Sequence, residues 1–251
     1  MPIILKSRDE IAIMRDAGRI VAEVLQIIVE RLRPGLVEKE LDEIVRREFK
    51  KRKVIPVFLG YQGYPATVCV SVNDEIVHGI PGDREIADGD VVSIDLGCVH
   101  KGFVADSALT AGVGNVSPEA LRLIEVTREA LNRGIGAARA GARLGQIGAA
   151  IQTYVEGEGF SVVREYIGHG VGRQMHEDPQ VPNYVVGDPE TGPVLKEGMV
   201  IAIEPMVNAG DWRTKRDPDN WTVRTLDGSL SAHFEHTLAV RDGEAEVLTL
   251  P

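Results

Sequence analysis

The order of the predicted elements restarts halfway along the chain, and this repeat restricts the fold more than any other feature. Apolar spacing and capping signals predict two helices, then strands, then two more helices and further strands. The expected helices span residues 7–33, 38–51, 117–139 and 144–155. The expected strands span residues 67–72, 76–80, 91–99, 161–163, 199–203, 232–240 and 245–250. This order predicts an α+β fold.

The two helix pairs carry the same apolar stripe when Gly35 is aligned with Gly141. Four apolar positions then match in order: Leu41, Ile44, Val45 and Phe49 with Ile147, Ala150, Ile151 and Val155. Amphipathic helices resemble one another by default, so chance similarity is the alternative. If the repeat is real, residues 1–251 form one domain of two equivalent halves, 1–112 and 113–251. The groove between them is then the natural place for a site.

Composition restricts the setting but does not identify the function. The chain has 251 residues, of which 43% are apolar, which suffices for a substantial core. No run of eighteen apolar residues and no secretory signal occurs, so we expect a cytoplasmic protein without a membrane span. Two cysteines, Cys69 and Cys98, lie in apolar runs and are expected as buried thiols. The net charge of −10 argues against a dedicated DNA-binding protein, and a monomer is the default expectation.

Two aspartates, Asp95 and Asp106, lie in a pair of otherwise apolar predicted strands. If Lys101-Gly102 is a two-residue hairpin loop, Gly97 faces Asp106, and the two aspartates are diagonal neighbours on one face. Carboxylates in a sheet interior are normally paired or bound to metal, because an isolated buried charge is costly. At this spacing they can share one metal ion or two. The alternative is a turn cap beside a surface ion pair.

The second half supplies further ligand-type residues. His169 and His176 lie in a glycine-flanked segment, Glu204 ends a predicted strand before Pro205, and Glu235 lies in the strand at 232–240. Each alone is typical of a solvated carboxylate or an ordinary polar histidine. Two aspartates, two glutamates and one histidine together favour a site for two divalent ions with open positions for water and substrate.

The chain resembles the methionine aminopeptidases, bacterial type I, over nearly its whole length. The motifs that carry this resemblance are DLGCVHKGFVADSALT, GHGVGRQMHEDPQVPNY, VIAIEPMV, SAHFEHT and VCVSVNDEIVHGIPGDREIADGD. The resemblance implies the pita-bread fold, an antiparallel sheet backed by helices in two pseudo-symmetric halves. It also implies one metal at Asp106, His169, Glu204 and Glu235 and a second at Asp95, Asp106 and Glu235. The expected ions are Co, Mn, Fe or Zn.

The resemblance further implies removal of the initiator methionine from nascent polypeptides whose second residue is small. Glu204 would carry the proton of the attacking water, His176 would stabilise the oxyanion, and His78 would contact the scissile amide. Without the resemblance, His78 is an ordinary hairpin histidine. The methionine pocket is expected to be formed by Phe58, Tyr61, Tyr64, Cys69, Met175 and Trp221, with His78 and His176 beside it. Met175 departs from the aromatic residue frequent at its position, and Cys69 is equally compatible with core packing.

Two other functions fit the same kind of fold. Xaa-Pro peptidases share much of the ligand set but usually carry a large additional N-terminal domain, whereas here two predicted helices precede the first strands. A metal-free peptide-binding protein is expected to have lost ligands, and all five are present. The sequence therefore favours the aminopeptidase.

Two basic clusters suggest a second partner. RREFKKRK, residues 46–53, places six cations in eight residues, and four more cations surround a polar loop: Arg213, Lys215, Arg216 and Arg224. These clusters predict weak, salt-dependent contact with ribosomal RNA. The alternative is that the first complements a helix C-terminus and that the second is merely solvated.

Overall fold

The computed structural model describes residues 2–251, and its four helices in that range pack against a large β-sheet. The helices are α1 (Arg8–Val29), α2 (Glu38–Arg52), α3 (Pro118–Ala137) and α4 (Gly145–Gly157). A short 3-10 turn, Tyr61–Gly63, follows the first strand. The strands are β1 (Ile55–Pro56), β2 (Cys69–Val72), β3 (Glu75–Val77), β4 (Val91–His100), β5 (Phe103–Gly112), β6 (Ser161–Val162), β7 (Gly168–Gly170), β8 (Glu177–Val181), β9 (Val200–Ile203), β10 (Met206–Asn208), β11 (Thr214–Arg216), β12 (Val223–Thr225), β13 (Ser231–His233), β14 (Glu235–Ala239) and β15 (Glu246–Val247).

The helices begin where the sequence signals predict. Ser7 accepts a hydrogen bond from the Glu10 amide while the Glu10 carboxylate accepts one from the Ser7 amide, which completes a capping box at the start of α1. The Ser117 hydroxyl caps α3 by accepting from the Ala120 amide. The predicted C-terminal ends are less exact. Helix α1 ends at Val29, four residues before the expected stop, because the amides of Arg31 and Leu32 donate to carbonyls three residues earlier.

The central hairpin has the predicted register. Val99 pairs with Val104 and Gly97 pairs with Asp106 across β4 and β5. Lys101 and Gly102 both have positive φ angles, 48° and 80°, as a type I′ hairpin turn requires. One face of β4 is therefore buried under α1 and α2, and the other face carries Asp95.

The sheet order reflects the repeat. Nine antiparallel strands follow the order β1-β4-β5-β14-β9-β7-β8, with β2 beside β4 and β15 beside β14. The halves meet where β5 lies beside β14. On the first-half side the next strands are β4 and then β2, and on the second-half side the equivalent strands are β9 and then β7. Two three-stranded sheets complete the fold, β13-β10-β6 and β11-β12-β3.

Backbone geometry also repeats between the halves. Gly35 and Gly141 have φ angles of 84° and 89°, and their amides donate to the carbonyls of Ile86 and Leu195 at 2.8 and 2.9 Å. The expected helical stripe is wrong at one position, because Ala150 is partly exposed beside an open depression between α3 and α4. The other seven aligned residues are buried.

Each half has its own apolar core under its own helix pair. In the first half, α1 and α2 cover β2, β4 and β5, and the buried side chains include Val45, Phe49 and Ile94. In the second half, α3 and α4 cover β9 and β14, with Ile147 and Ile201 among the buried residues. The cores hold the helices on one side of the sheet and leave the opposite side free to form a cleft.

Two predicted strands are interrupted where the chain changes sheet. The expected strand 232–240 divides at Phe234 into β13 and β14, and the Phe234 amide donates to the Pro205 carbonyl. Pro205 likewise separates β9 from β10, since proline cannot donate to a ladder. Glu204 and Glu235 lie beside these two interruptions. The expected strand 76–80 is shorter, because β3 ends before His78, whose φ angle is 62°.

Candidate active site

Three ligand-type side chains meet in the centre of the cleft. Each of Asp106, His169 and Glu235 offers one ligand atom, and these three atoms lie within 4.8 Å of one another. Asp106 lies on β5, Glu235 opens β14 and His169 lies in β7, so the cluster takes residues from both halves. All three side chains are buried. This spacing suits a divalent ion bound by carboxylate and imidazole.

Asp95 and Glu204 line the same cavity, which has a volume of about 100 Å³. They occupy equivalent places in the repeat, because Asp95 follows Ile94 on β4 as Glu204 follows Ile203 at the end of β9. The Glu204 carboxylate lies 3.6 Å from Nε2 of His169. The structure therefore brings together all five residues that the sequence nominated as metal ligands.

The carboxylates lack the partners that buried charges require. Asp95 Oδ1, Asp106 Oδ1 and Glu235 Oε1 are buried without a hydrogen-bond partner among residues 2–251. Burial raises the pKa of Asp106 to about 7. Burial also raises the pKa values of Asp95, Glu204 and Glu235. The negative charge of Asp106 raises these three pKa values further. Unpaired oxygens in a crowded anionic cluster fit divalent cations, which would supply the missing charge.

His169 is oriented for a role as a ligand. Its Nδ1 lies 2.9 Å from the Gly170 carbonyl, so Nδ1–H donates to that oxygen and Nε2 keeps its lone pair. Burial lowers the pKa of His169 to about 4, which favours the neutral imidazole that metals bind. Gly168, its neighbour, allows the close packing of β7, since a Cβ there would lie 2.3 Å from the Ala202 carbonyl.

His176 stands over this cluster from the loop between β7 and β8. Its ring centroid lies 4.2 Å from that of His169. The Tyr61 hydroxyl lies 2.6 Å from Nδ1 of His176, a hydrogen bond between the two halves. When the phenol donates to Nδ1, the imidazole proton resides on Nε2 and is available to a substrate.

His78 faces the cleft from the opposite wall. β3 ends just before this residue, which adopts a left-handed backbone conformation that is uncommon outside glycine. Its ring packs edge-on against Tyr166 and Trp221, at centroid distances of 5.6 and 6.3 Å. Burial lowers the pKa of His78 to about 4, so the ring is neutral at physiological pH.

An apolar pocket of about 160 Å³ opens beside Asp95. All six residues that the sequence nominated for a methionine pocket line it: Phe58, Tyr61, Tyr64, Cys69, Met175 and Trp221. His78 and His176 lie at its boundary with the carboxylate cavity, which they also line. Tyr64 is held by hydrogen bonds from its hydroxyl to the carbonyls of Val68 and Gly79.

Sequence reasoning missed several residues around these cavities. Tyr166 supports His78, Gln62 lines the apolar pocket, and His233 places Nε2 within 3.9 Å of Glu204. The Thr237 hydroxyl accepts from the Asp106 amide and donates to the Asp106 carbonyl, which joins β14 to β5. The positions of His233 and Thr237 on the same predicted strand as Glu235 were the available signal. No sequence signal marked Gln62 or Tyr166.

Comparison with known proteins decides the family. The sequence model that describes metallopeptidase family M24 matches residues 12–242. The chain belongs to metallopeptidase family M24. It is 54% identical to methionine aminopeptidase 1 of Bacillus subtilis over 247 residues, which cover 98% of this chain and 99% of that protein. The crystal structure of methionine aminopeptidase from Thermotoga maritima covers 100% of both chains, with 45% identity and a TM-score of 0.97.

These comparisons confirm the pita-bread fold for this M24 peptidase. They also separate it from another branch of similar structures. The X-Pro aminopeptidase of Thermotoga maritima shares the fold with a TM-score of 0.78, but it is 22% identical and the match covers only 62% of that protein. Membership of the family implies that the enzyme uses a divalent metal. Within residues 2–251, no helix is both long and apolar enough to cross a membrane.

Proposed function

We propose that this M24 peptidase removes the N-terminal methionine from polypeptides whose second residue is small. One observation carries the proposal: the cavity of the five-residue ligand cluster adjoins an apolar pocket, and the two share four lining residues, His78, Asp95, Met175 and His176. A side chain held in the pocket therefore brings the adjacent peptide bond to the carboxylates. The relatives named methionine aminopeptidase support the substrate assignment.

Two divalent ions fit the site, with Co, Mn, Fe or Zn as candidates. Asp106, His169, Glu204 and Glu235 would hold one ion, and Asp95, Asp106 and Glu235 would hold the other. The orphaned oxygens of Asp95, Asp106 and Glu235 and the lone pair on Nε2 of His169 support this assignment. When bound, such ions acidify a water molecule and polarise the scissile carbonyl.

The protein's own groups would move the protons. Burial and the neighbouring Asp106 charge raise the pKa of Glu204, which suits a carboxylate that accepts a proton from water and returns it to the leaving amine. His176, with its proton on Nε2, would donate to the oxyanion as it forms. His78, neutral and fixed by Tyr166, would contact the scissile amide. The α-amino group of the substrate would lie beside Asp95.

The shape and chemistry of the pocket agree with an unbranched apolar side chain. Aromatic rings form most of the walls, with Phe58 and Tyr64 edge-to-face at 6.5 Å and Tyr64 and Trp221 at 5.0 Å. Met175 and Cys69 supply polarisable sulfur, which packs well against a thioether. The pocket volume of about 160 Å³ is consistent with a single apolar side chain.

Hydrolysis of short peptides tests the proposal. We expect cleavage of Met-Ala and Met-Gly peptides, loss of turnover on chelation, and recovery when metal is restored. Titration of Co, Mn, Fe and Zn into stripped protein, with bound metal counted, identifies the ion and the number required. Full activity of metal-stripped protein would refute the metal mechanism. Preference for Xaa-Pro peptides over Met-Ala would instead indicate the prolidase-like activity.

We also propose that the enzyme acts in the cytoplasm as a monomer, on nascent chains at the ribosome. The exposed cations Lys50, Lys51 and Lys53 at the end of α2 and Lys215 on β11 are the candidate contacts with RNA. Several other cations of the two basic clusters form ion pairs with carboxylates of the protein. This reduces the number of cations that are free to contact RNA. Arg46 pairs with Asp42, and Arg224 binds three carboxylates at 2.7 Å, those of Asp74, Glu75 and Asp217.

Co-sedimentation with ribosomes tests this contact separately from peptide hydrolysis. The variants Lys50→Glu/Lys51→Glu and Lys215→Glu reverse the exposed charges, and Lys196→Glu is an exposed control outside both clusters. We expect binding to fall with rising salt and with the cluster variants, while Met-Ala hydrolysis is unchanged. Binding that survives both cluster reversals would exclude these surfaces.

A further inference from the structure

The loop at residues 171–176 carries Met175 and His176 and joins β7 to β8. His176 is exposed, and the loop contains no regular secondary structure. Its first two residues are nevertheless fixed, because the Val171 amide donates to the Val200 carbonyl and the Val104 amide donates to the Gly172 carbonyl. What holds the middle of the loop therefore decides where the His176 ring stands.

The carboxylate of Glu177 fills the inside of this loop. Its Oε1 accepts hydrogen bonds from the backbone amides of Arg173 and Gln174, at 2.8 and 3.2 Å. Glu177 directly follows His176 in the chain. Its carboxylate thus supplies the acceptor that these two backbone amides need inside the loop. The loop closes around the carboxylate so tightly that a Cβ on Gly172 would lie 2.3 Å from Oε1.

The other carboxylate oxygen of Glu177 binds a lysine from the N-terminal segment. Lys6 Nζ lies 2.7 Å from Glu177 Oε2, and the two side chains are only 3% and 8% exposed. Lys6 is itself fixed, because its amide donates to the Gly198 carbonyl at 2.7 Å and its ammonium donates to the Ile4 carbonyl at 3.0 Å. Removal of one partner of such a buried ion pair strongly destabilises the folded structure around it, since the remaining charge is left uncompensated.

We propose that Lys6 and Glu177 are positioning residues that hold His176 over the cluster of candidate metal ligands. The N-terminal segment clamps the loop through Lys6, and the Glu177 carboxylate transmits that constraint to the two amides beside Met175. The inference rests on the proposed function, because it takes His176 to be the group that contacts the substrate. Neither Lys6 nor Glu177 lines the carboxylate cavity or the apolar pocket. Both therefore act through the loop and not on substrate.

The variant Lys6→Met tests the clamp with the rest of the protein intact. Displacement of a catalytic group by about 1 Å costs up to about 100-fold in rate, so we expect kcat for a Met-Ala peptide to fall about 10-fold to 100-fold. KM should change by a smaller factor than kcat, because Met175 and His176 are the only pocket-lining residues on this loop and the other walls stay in place. Lys6→Arg, which retains the cation, should recover most of the lost rate. If Lys6→Met does not fold, Glu177→Gln provides the same measurement.

A double-mutant cycle distinguishes positioning from general stability. In a His176→Ala background, Lys6→Met should lower kcat by less than about twofold, because the group that it positions is gone. Arg122→Met, which breaks an exposed ion pair with Glu158, is the control and should leave kcat unchanged in both backgrounds. An equal loss from Lys6→Met with and without His176, or no loss with His176 present, would overturn the proposal.

A measurement without substrate keeps this inference separate from the proposed activity. The chain has six histidines, so the imidazole resonance of His176 can be assigned by single substitutions in a proton–carbon correlation spectrum. Lys6→Met should shift or broaden that resonance and leave the one from His236, on the helix side of the sheet, unchanged. An unaltered His176 resonance would overturn the positioning role whatever peptide the enzyme cleaves.

Discussion

At the scale of single residues, the two glutamates of the site differ in exposure. Glu235 is buried and opens β14 between the halves, whereas Glu204 is only partly buried and lies beside the interruption at Pro205. Both pKa values are raised by burial, with the charge of Asp106 as a further cause. Greater access to the cleft supports the proposed role of Glu204 as the proton carrier, and deeper burial supports the proposed role of Glu235 as a fixed ligand.

Substitution of Glu204 by glutamine should lower kcat for Met-Ala hydrolysis by about 100-fold to 10,000-fold, because the amide cannot accept and return a proton. The fold should survive, since the side chains are nearly isosteric. Peptide hydrolysis and thermal unfolding measure the two effects. Glu197→Gln, at an exposed position nearby in sequence, is the matched control. Retention of more than about a tenth of the activity would exclude Glu204 as the proton carrier.

The hydrogen bond from Tyr61 to His176 makes a separate prediction. Tyr61→Phe removes a 2.6 Å contact to Nδ1 and frees the ring to change tautomer and orientation. We expect kcat to fall about 3-fold to 10-fold with a small change in KM, the range of one hydrogen bond. Steady-state kinetics check this, with Tyr154→Phe on the surface of α4 as control. A rise in KM at constant kcat would show that Tyr61 acts only as a pocket wall.

At the scale of elements, the hairpin of β4 and β5 positions both first-half carboxylates. Its type I′ turn fixes the register, and the register sets Gly97 opposite Asp106. Gly97 is required by space, because a Cβ there would lie 2.8 Å from Val57 Cγ1, 2.9 Å from the Ala105 carbonyl and 3.0 Å from Asp106 Oδ1. The site therefore depends on a residue that carries no functional group.

Gly97→Ala should weaken metal binding and destabilise the protein by about 1 to 3 kcal/mol, because the new methyl group forces β5 and the Asp106 carboxylate to move. Metal titration by calorimetry and chemical denaturation measure the two quantities. Gly136→Ala on α3 is the control, since a Cβ there meets nothing within 4 Å and alanine favours a helix. Unchanged metal affinity in Gly97→Ala would show that the hairpin tolerates the extra methyl.

At the scale of the whole molecule, the site joins the two halves through the strand pair β5 and β14. Only two residue pairs form the ladder there, and hydroxyl groups supplement it: Ser107 donates to the Glu235 carbonyl at 2.6 Å, and Thr110 donates to the His233 carbonyl at 2.7 Å. Four carboxylates with raised pKa values lie next to this junction. Metal binding is therefore expected to stabilise the contact between the halves as well as the site.

The raised pKa values make the metal-free protein sensitive to pH. A carboxyl whose pKa is higher in the folded state stabilises the fold below its unfolded pKa, and this contribution is lost as pH rises through the folded value. For Asp106 the window runs from its ordinary value of 3.8 to about 7. The stripped protein should therefore lose stability across this window, whereas the metal-bound protein should not.

Thermal unfolding with chelator and with Mn²⁺ at pH 5.5 and pH 7.5 checks this prediction. We expect the metal-dependent rise in Tm to be larger at pH 7.5 by about 5 °C or more, because the ions replace protons that the carboxylates have then lost. Asp83→Asn, at an exposed ion pair with Lys39, serves as a control that should not change the difference. An equal rise at both pH values would show that the carboxylates are already ionised at pH 5.5.

The local features were predictable from the sequence because each depends on neighbours along the chain. The capping box at Ser7 and the turn at Lys101-Gly102 are set by backbone sterics and by hydrogen bonds within a few residues. The repeat then implied a groove between halves. The division of the five ligands between two ions depended on resemblance, since single Asp, Glu and His residues carry no local signal of function.

Only the tertiary structure decided the contacts that bring distant residues together. The division of the expected strand at Phe234 arises because neighbouring strands switch sheets at Pro205, and no local pattern records such a change. The approach of Tyr61 to His176, 115 residues away, and of Lys6 to Glu177, 171 residues away, likewise requires the folded sheet. Propensity and capping act over a few residues, whereas the reactive geometry is set by packing between the halves.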